Sequence, residues 1–132
     1  MTPAKPLTDH KINECNDRIE VMPICAEGQA ECTTYTIKIN VPQDGDTDDR
    51  PGVSKTVILD FQDGPIKEVG VNGLTHEVLL AVLADRLRRY QSGPYACEEN
   101  ATALNHICAA QGALLLRTQK RLQRGVEGTH QV

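Results

Sequence analysis

Polar and apolar side chains alternate along three short segments in the first half of the chain. Residues 18–22 (RIEVM) and 33–41 (TTYTIKINV) are rich in β-branched residues, and residues 53–61 (VSKTVILDF) alternate less regularly. Alternation with a period of two places the apolar side chains on one face of a strand. The pattern predicts three strands of a small antiparallel sheet.

Turn-forming residues separate the second and third predicted strands. Residues 42–52 read PQDGDTDDRPG, and their aspartates raise the alternative of a calcium loop. The sixth position of such a loop would be Asp49 rather than Gly, and the twelfth would be Lys55 rather than a bidentate Glu. We therefore interpret the segment as a solvated hairpin loop. Residues 62–73, QDGPIKEVGVNG, form a glycine-punctuated connector without the spacing of a phosphate-binding loop.

The hydrophobic period changes after this connector and predicts two helices. Thr75 is suited to the N-cap position, and regularly spaced leucines and valines extend the first helix to about residue 91. Ser92-Gly93-Pro94 ends it, and a second helix runs from near Ala96 to Gly125. Helices joined by so short a turn lie antiparallel as a hairpin.

The predicted fold class is α+β, with a small N-terminal antiparallel sheet followed by a C-terminal antiparallel helical hairpin. We expect an N-terminal β region over 1–61, the connector over 62–73 and the helical-hairpin region over 74–132. The hairpin region would carry ligand binding and oligomerisation, and the three parts together would form one structural domain.

The second predicted helix carries two stripes of residues. One is apolar and is expected to pack on the first helix: Ala101, Leu104, Cys108, Leu115 and Leu122. The other is small and apolar in its centre and cationic at one end: Asn100, Ala103, Ile107, Ala110, Leu114, Arg117, Arg121 and Arg124. A solvent-facing stripe would not leave its centre apolar, so we expect a subunit interface there, with binding chemistry at the ends.

Composition also favours self-association. Aromatic residues make up 3% of the 132 residues, although aromatic side chains supply much of the buried area in small cores. A chain with so few of them gains buried area by pairing with copies of itself.

The five cysteines are irregularly spaced and contain no Cys-x-x-Cys pair, so we expect reduced thiols and no metal site. With no signal-peptide pattern and no membrane-length apolar run, the expected location is the cytoplasm.

Charge is distributed unevenly. Residues 1–73 carry thirteen acidic and seven basic side chains, whereas residues 74–132 carry five acidic and seven basic ones. Four of the latter lie between Arg117 and Arg124. Arg117 and Arg121 are four residues apart, a spacing that suits a grip on phosphate oxygens. The alternative is that they only offset the helix dipole and solvate the surface.

Three sequence segments resemble the phage anti-Thoeris defence proteins of the first type, which share a hairpin domain with the anti-CBASS cyclic-nucleotide sponges. These are GPIKEVGVNG at 64–73, LADRLRRYQSGPYAC at 83–97 with Asn100 after it, and RTQKRLQRGVEGTH at 117–130. The last segment is the most specific. The resemblance covers residues 61–132, a little over half of the chain.

This resemblance implies binding without turnover. Proteins of that family act as sponges in the host bacterial cytoplasm for the cyclised ADP-ribose isomer made by TIR proteins, glycocyclic ADP-ribose. It further implies a homo-oligomer, a dimer of hairpins that assembles to a hexamer, with cyclic di- or trinucleotides as additional ligands. No enzyme activity, cofactor, DNA partner or membrane partner is implied.

The family's ligand-binding positions fall on four residues of this chain. The stacking aromatic corresponds to Tyr90, where Phe is more usual, and the polar contact to the base or ribose corresponds to Asn100. The phosphate-gripping arginines correspond to Arg117 and Arg121, and Arg124 is a further candidate. Tyr95, also a Phe more usually, is expected to pack at the hairpin turn.

Two other functions remain open. A small DNA-binding regulator could use the basic end of the second helix, although an antiparallel hairpin is not a helix-turn-helix and the net charge is −4. A signal-degrading enzyme would need a base or a metal. His76, His106 and His130 have no carboxylate or thiol placed in sequence to suggest a relay.

Overall fold

The computed structural model describes residues 2–3, 5–26, 31–41 and 53–132. The predicted hairpin loop at 42–52 lies outside these ranges. The chain divides into two compact units, Met1–Phe61 and Gln62–Val132.

The first unit is an antiparallel sheet with strands in the order β1-β2-β3-β4. The strands are β1 (Thr2–Pro3), β2 (Ile19–Cys25), β3 (Cys32–Val41) and β4 (Val53–Asp60). The three predicted strands are therefore confirmed, with β2 longer by three residues at its end. Strand β1 and the one-turn helix α1 (Glu14–Asp17) are too short to show a period and were not predicted.

The register of the sheet separates its two faces. Val21 lies opposite Ile37, which lies opposite Val57, so one face is apolar. The other face carries polar pairs, including Thr34, whose hydroxyl donates to Asp60 Oδ1 at 2.8 Å. This separation follows from the alternation in the sequence, because a one-residue shift in register would reverse both faces.

A disulfide joins Cys25 and Cys32, whose Cα atoms lie opposite each other across β2 and β3. The prediction that all cysteines are reduced is wrong for this pair. Sequence spacing did not reveal the pair because the strand pairing, rather than a short motif, brings the two residues together. Cys15, Cys97 and Cys108 are free thiols.

The second unit contains the short helix α2 (Ile66–Val69) and two long helices, α3 (His76–Gln91) and α4 (Glu98–Gln123). Thr75 is the N-cap of α3, and its hydroxyl accepts from Val78 N at 3.3 Å. Helices α3 and α4 pack together as the predicted antiparallel hairpin. The predicted α+β fold class is confirmed.

Two amide side chains close the connector that precedes the hairpin. Gln62 Nε2 donates to the carbonyl oxygens of Gly64 and Gly70 at 3.1 and 2.8 Å. Asn72 accepts from Asp63 N at 2.9 Å and donates to Asp63 O at 2.7 Å. These bonds hold α2 in a closed loop.

The two helices differ in length. Helix α3 has 16 residues and α4 has 26, so at 1.5 Å per residue α4 continues roughly 15 Å beyond the start of α3. Leu115 and Leu122 lie on this overhang and are 57% and 62% exposed. The prediction that they pack on α3 is wrong: at these levels of α4 the less exposed positions are Leu114, Thr118 and Arg121, which lie on a neighbouring face of the helix.

The least exposed stripe of α4 lies between the two predicted stripes. It consists of Leu104, Ile107, Gln111, Leu114, Thr118 and Arg121. Ile107, Ala110 and Leu114 were expected to have no cover within the chain and to form a subunit interface. They are instead half-buried within the chain. The exposed apolar surface of α4 lies instead at Leu115, Leu116 and Leu122.

Within the described ranges, few residues are buried: Pro23, Ala84, Arg121 and Val126. Arg121 and Val126 lie at the end of α4 and just after it. None of the helices described is long and apolar enough to cross a membrane.

Candidate functional site

The turn between α3 and α4 is held by reciprocal bonds. Gln91 Nε2 donates to Cys97 O at 3.0 Å, and Cys97 N donates to Gln91 Oε1 at 3.1 Å. Cys97 is the N-cap of α4, and its sulfur accepts from Asn100 N at 3.4 Å. The turn therefore fixes the end of α3 against the first turn of α4.

Tyr90 lies at this turn, in the last turn of α3, and is 41% exposed. Its ring centroid is 5.6 Å from that of Tyr95. The guanidinium carbon of Arg86 is 5.4 Å from the Tyr90 centroid, and Arg86 Nη2 donates to the Tyr90 hydroxyl at 3.2 Å. The position of the ring is thus set by a neighbouring ring and by a cation on the same helix.

Asn100 lies at the same end of the hairpin. Its Nδ2 donates to Tyr95 O at 3.3 Å, and the residue is half-buried. Tyr90 and Asn100 therefore both contact Tyr95. Tyr95 itself is 70% exposed, so its contact with Tyr90 at the turn leaves most of its surface accessible.

The far end of α4 carries a basic pocket with a volume of about 330 Å³, at the lower end of the range for small-molecule sites. It is lined by Ala113, Leu116, Arg117, Lys120, Arg121, Arg124 and Val132. The structure thus brings the three predicted arginines to one surface and adds a fourth cation, Lys120. The pocket combines apolar walls with cations, an arrangement suited to an organic anion.

The three arginines of this basic pocket have different surroundings. Arg117 is exposed and makes no hydrogen bond or ion pair with any other residue that the structure describes. Arg124 is exposed and donates from Nη2 to Val132 O. Arg121 is 9% exposed, so its side chain is largely removed from solvent.

Arg121 donates to the segment that follows α4, residues 126–131, which we call the tail. Its Nε donates to Glu127 Oε2 at 3.1 Å, and its Nη1 donates to Gln131 O at 2.6 Å. Its Nη2 donates to Val126 O at 2.9 Å and to Thr129 O at 3.1 Å. The prediction that Arg121 binds phosphate stays a prediction, and in this structure its guanidinium organises the tail.

The two ends of the site are far apart within one chain. Asn100 and Arg117 lie on one continuous helix, seventeen residues apart, so about 25 Å separates them at 1.5 Å per residue. The structure therefore brings Tyr90 together with Asn100, and Arg117 together with Arg121 and Arg124. It does not bring the two groups together.

Three features of the site were missed from the sequence. Lys120 belongs to the basic run, but its place in the pocket wall was not predicted. Arg86 stands four residues before Tyr90, a spacing that could have indicated their contact. The Arg121–Glu127 pair crosses the turn at Gly125, where φ is +71°, so helical periodicity gives no signal for it.

His130 also differs from the sequence interpretation. Its Nδ1 lies 2.9 Å from Glu68 Oε1, 62 residues away in the chain. The expectation that no carboxylate is placed beside this histidine is wrong, because the tail folds back onto α2. Across the ranges the structure describes, no group of three or more His, Cys, Asp or Glu side chains could hold a metal ion.

Comparison with known proteins identifies the hairpin. Residues 56–118 match the family model described as Acb2/Tad1, hairpin domain. Thoeris anti-defense 1 from Bacillus phage SBSphiJ7 is 43% identical over 77 residues, which is 58% of this chain and 54% of that protein. The chain thus spans about half the length of this curated relative. The resemblance found in the sequence is confirmed: residues 56–118 are similar to the Acb2/Tad1 hairpin domain, and the relative that the chain resembles is a phage anti-defence protein.

Proposed function

We propose that the chain is a phage anti-defence protein that sequesters a cyclic ADP-ribose-type signal, glycocyclic ADP-ribose, made by host TIR proteins. It would hold the signal without degrading it and so block Thoeris immunity from within the host bacterial cytoplasm. The observation that carries the proposal is the basic pocket at the end of α4, in a chain whose hairpin matches the Acb2/Tad1 family.

At the basic end, the phosphates of the signal would meet Arg117, Arg121 and Arg124. Guanidinium groups donate forked, charge-assisted hydrogen bonds to phosphate oxygens. Arg117 is the best placed of the three because its donors are exposed and uncommitted to other described residues. Cyclic di- or trinucleotides carry the same phosphate chemistry and are proposed as further ligands.

At the turn end, Tyr90 and Asn100 would bind the adenosine part of the signal. An aromatic ring stacks on a base with little dependence on its identity, and an amide side chain can both donate and accept hydrogen bonds. Arg86 and Tyr95 hold the Tyr90 ring, which reduces the conformational entropy that the ring loses on binding.

A single chain cannot offer both ends to one ligand. The signal is roughly 10 Å across, far less than the length of helix between Asn100 and Arg117. We propose a homo-oligomer in which Tyr90 and Asn100 of one subunit face Arg117 and Arg121 of the next, at a two-fold interface. The exposed Leu115, Leu116 and Leu122 supply apolar surface for such contacts. A dimer of hairpins, assembled further to a hexamer, fits this arrangement.

We propose no catalytic residue, metal or cofactor. A DNA-binding regulator is the alternative from another class, but an antiparallel hairpin is not a helix-turn-helix and the formal net charge of the chain is −4.

Calorimetry with glycocyclic ADP-ribose tests the proposed function. We expect tight binding by the parent chain, and we expect Arg117→Ala to weaken it by about tenfold or more, since hydrogen bonds to charged groups contribute about 1.5–3 kcal/mol. Arg18→Ala, which removes an exposed arginine from the other unit, serves as the matched control and should bind as the parent does. Absence of binding by the parent chain would refute the proposal.

A further inference from the structure

Arg121 makes four hydrogen bonds to the tail, more than the capping of a helix end requires. A guanidinium has five N–H donors, and Arg121 uses four of them on the tail. One donor, on Nη1, remains. Because Arg121 also lines the basic pocket, the tail fixes the orientation of a cation in the pocket wall.

The tail is held independently on its other side by α2. Lys67 N donates to Gly128 O at 3.1 Å, and His130 Nδ1 lies 2.9 Å from Glu68 Oε1. Gly128 has φ of +80°, and a Cβ atom there would lie 2.9 Å from Ile66 Cγ1. Only glycine accommodates both this backbone conformation and this approach. The amide-closed connector thus supports the tail, and the tail supports Arg121.

We infer that the tail is a positioning element of the phosphate-binding end and that Glu127 is a positioning residue for Arg121. This inference rests on the proposed function. Held in one orientation, Arg121 is a fixed cation in the pocket wall beside Arg117, Lys120 and Arg124. An anion then meets one cation that is already arranged, and binding does not incur the conformational entropy cost of ordering that arginine side chain.

The sign of the Glu127 effect separates positioning from simple electrostatics. Glu127 is an acidic side chain near a site for an anion. If it acted only through its charge, its removal would tighten anion binding, because a like charge would be gone. If it positions Arg121, its removal weakens binding even though the site becomes more positive.

The experiment compares Glu127→Ala with Glu127→Gln by calorimetry, using glycocyclic ADP-ribose and, separately, inorganic pyrophosphate. We expect Glu127→Ala to weaken binding of both probes about tenfold, the size of one charge-assisted hydrogen bond. Glu127→Gln keeps an oxygen that can accept from Arg121 Nε and should recover most of the affinity. Thermal denaturation should show that every variant is folded at the temperature of the titration.

Gly128→Ala provides a second test that leaves all charges in place. It should displace the tail from Ile66 and weaken binding of both probes. Gly112→Ala is its control, since Gly112 is an exposed glycine of α4 with no neighbour within 4 Å of a Cβ atom. Unchanged or tighter binding by Glu127→Ala would overturn the tail's role.

Comparing the two probes separates a failure of the tail inference from a failure of the proposed function. Pyrophosphate binding that depends on Glu127, without binding of the cyclic nucleotide, would refute the proposed function alone. Failure of the parent chain to bind either probe would refute both.

Discussion

Arg117 and Arg121 stand one helical turn apart and have the same side chain, yet they lie in different environments. Arg117 is exposed, whereas Arg121 is buried with four hydrogen bonds to the tail. Their i, i+4 spacing predicts a shared face, and both line one pocket. The sequence could not show this difference in burial. The tail reaches Arg121 only after the chain turns at Gly125, and helical spacing does not predict contacts beyond that turn.

This contrast predicts different effects on stability. Arg121→Ala removes four hydrogen bonds to the tail and should lower the free energy of unfolding by about 1–3 kcal/mol. Arg117→Ala should change it by less than about 0.5 kcal/mol, as is usual for an exposed side chain. Urea denaturation followed by circular dichroism measures both. Equal effects of the two substitutions would contradict the structural role of Arg121.

At the scale of elements, local signals were sufficient for the strands and helices. The Thr75 cap, the change of hydrophobic period and the Ser-Gly-Pro break locate α3 and the start of α4 within about two residues. The packing faces of α4 were not predictable in the same way. They depend on which neighbours cover each face of the helix, so Leu115 and Leu122 are exposed although their spacing is that of a packed stripe. The Cys25–Cys32 disulfide likewise depends on strand register.

The length of α4 leads to a prediction about assembly. We prepare Tyr90→Ala with Asn100→Ala in one variant and Arg117→Ala with Arg124→Ala in another, leaving the buried Arg121 intact. Each variant should oligomerise and bind the signal poorly. In a dimer with two pockets formed between subunits, random mixing makes about half of the dimers mixed and half of their pockets whole.

Calorimetry of the mixed and refolded variants should therefore recover roughly a quarter of the parental number of sites. Native mass spectrometry with one variant isotope-labelled confirms that mixed dimers form. If they form and no binding returns, the pocket lies within one chain and the arrangement between subunits is wrong.

At the scale of the whole molecule, few side chains of the described residues are buried, and the long helix leaves leucines exposed at its end. The same end carries the basic pocket and the tail. The match to the family model over residues 56–118 could be predicted because GPIKEVGVNG and LADRLRRYQSGPYAC lie within that segment. The tail's contacts with α2 could not, since they join residues 62 positions apart.

Capture without conversion is tested most directly by recovering the ligand. The parent chain is incubated with glycocyclic ADP-ribose, freed of unbound ligand and heat-denatured, and the supernatant is analysed by liquid chromatography. We predict that the intact cyclic nucleotide is released, in an amount no greater than the number of binding sites, with no linear product. A linear or hydrolysed product in more than stoichiometric amount, after incubation with excess ligand, would contradict sequestration and indicate an enzyme.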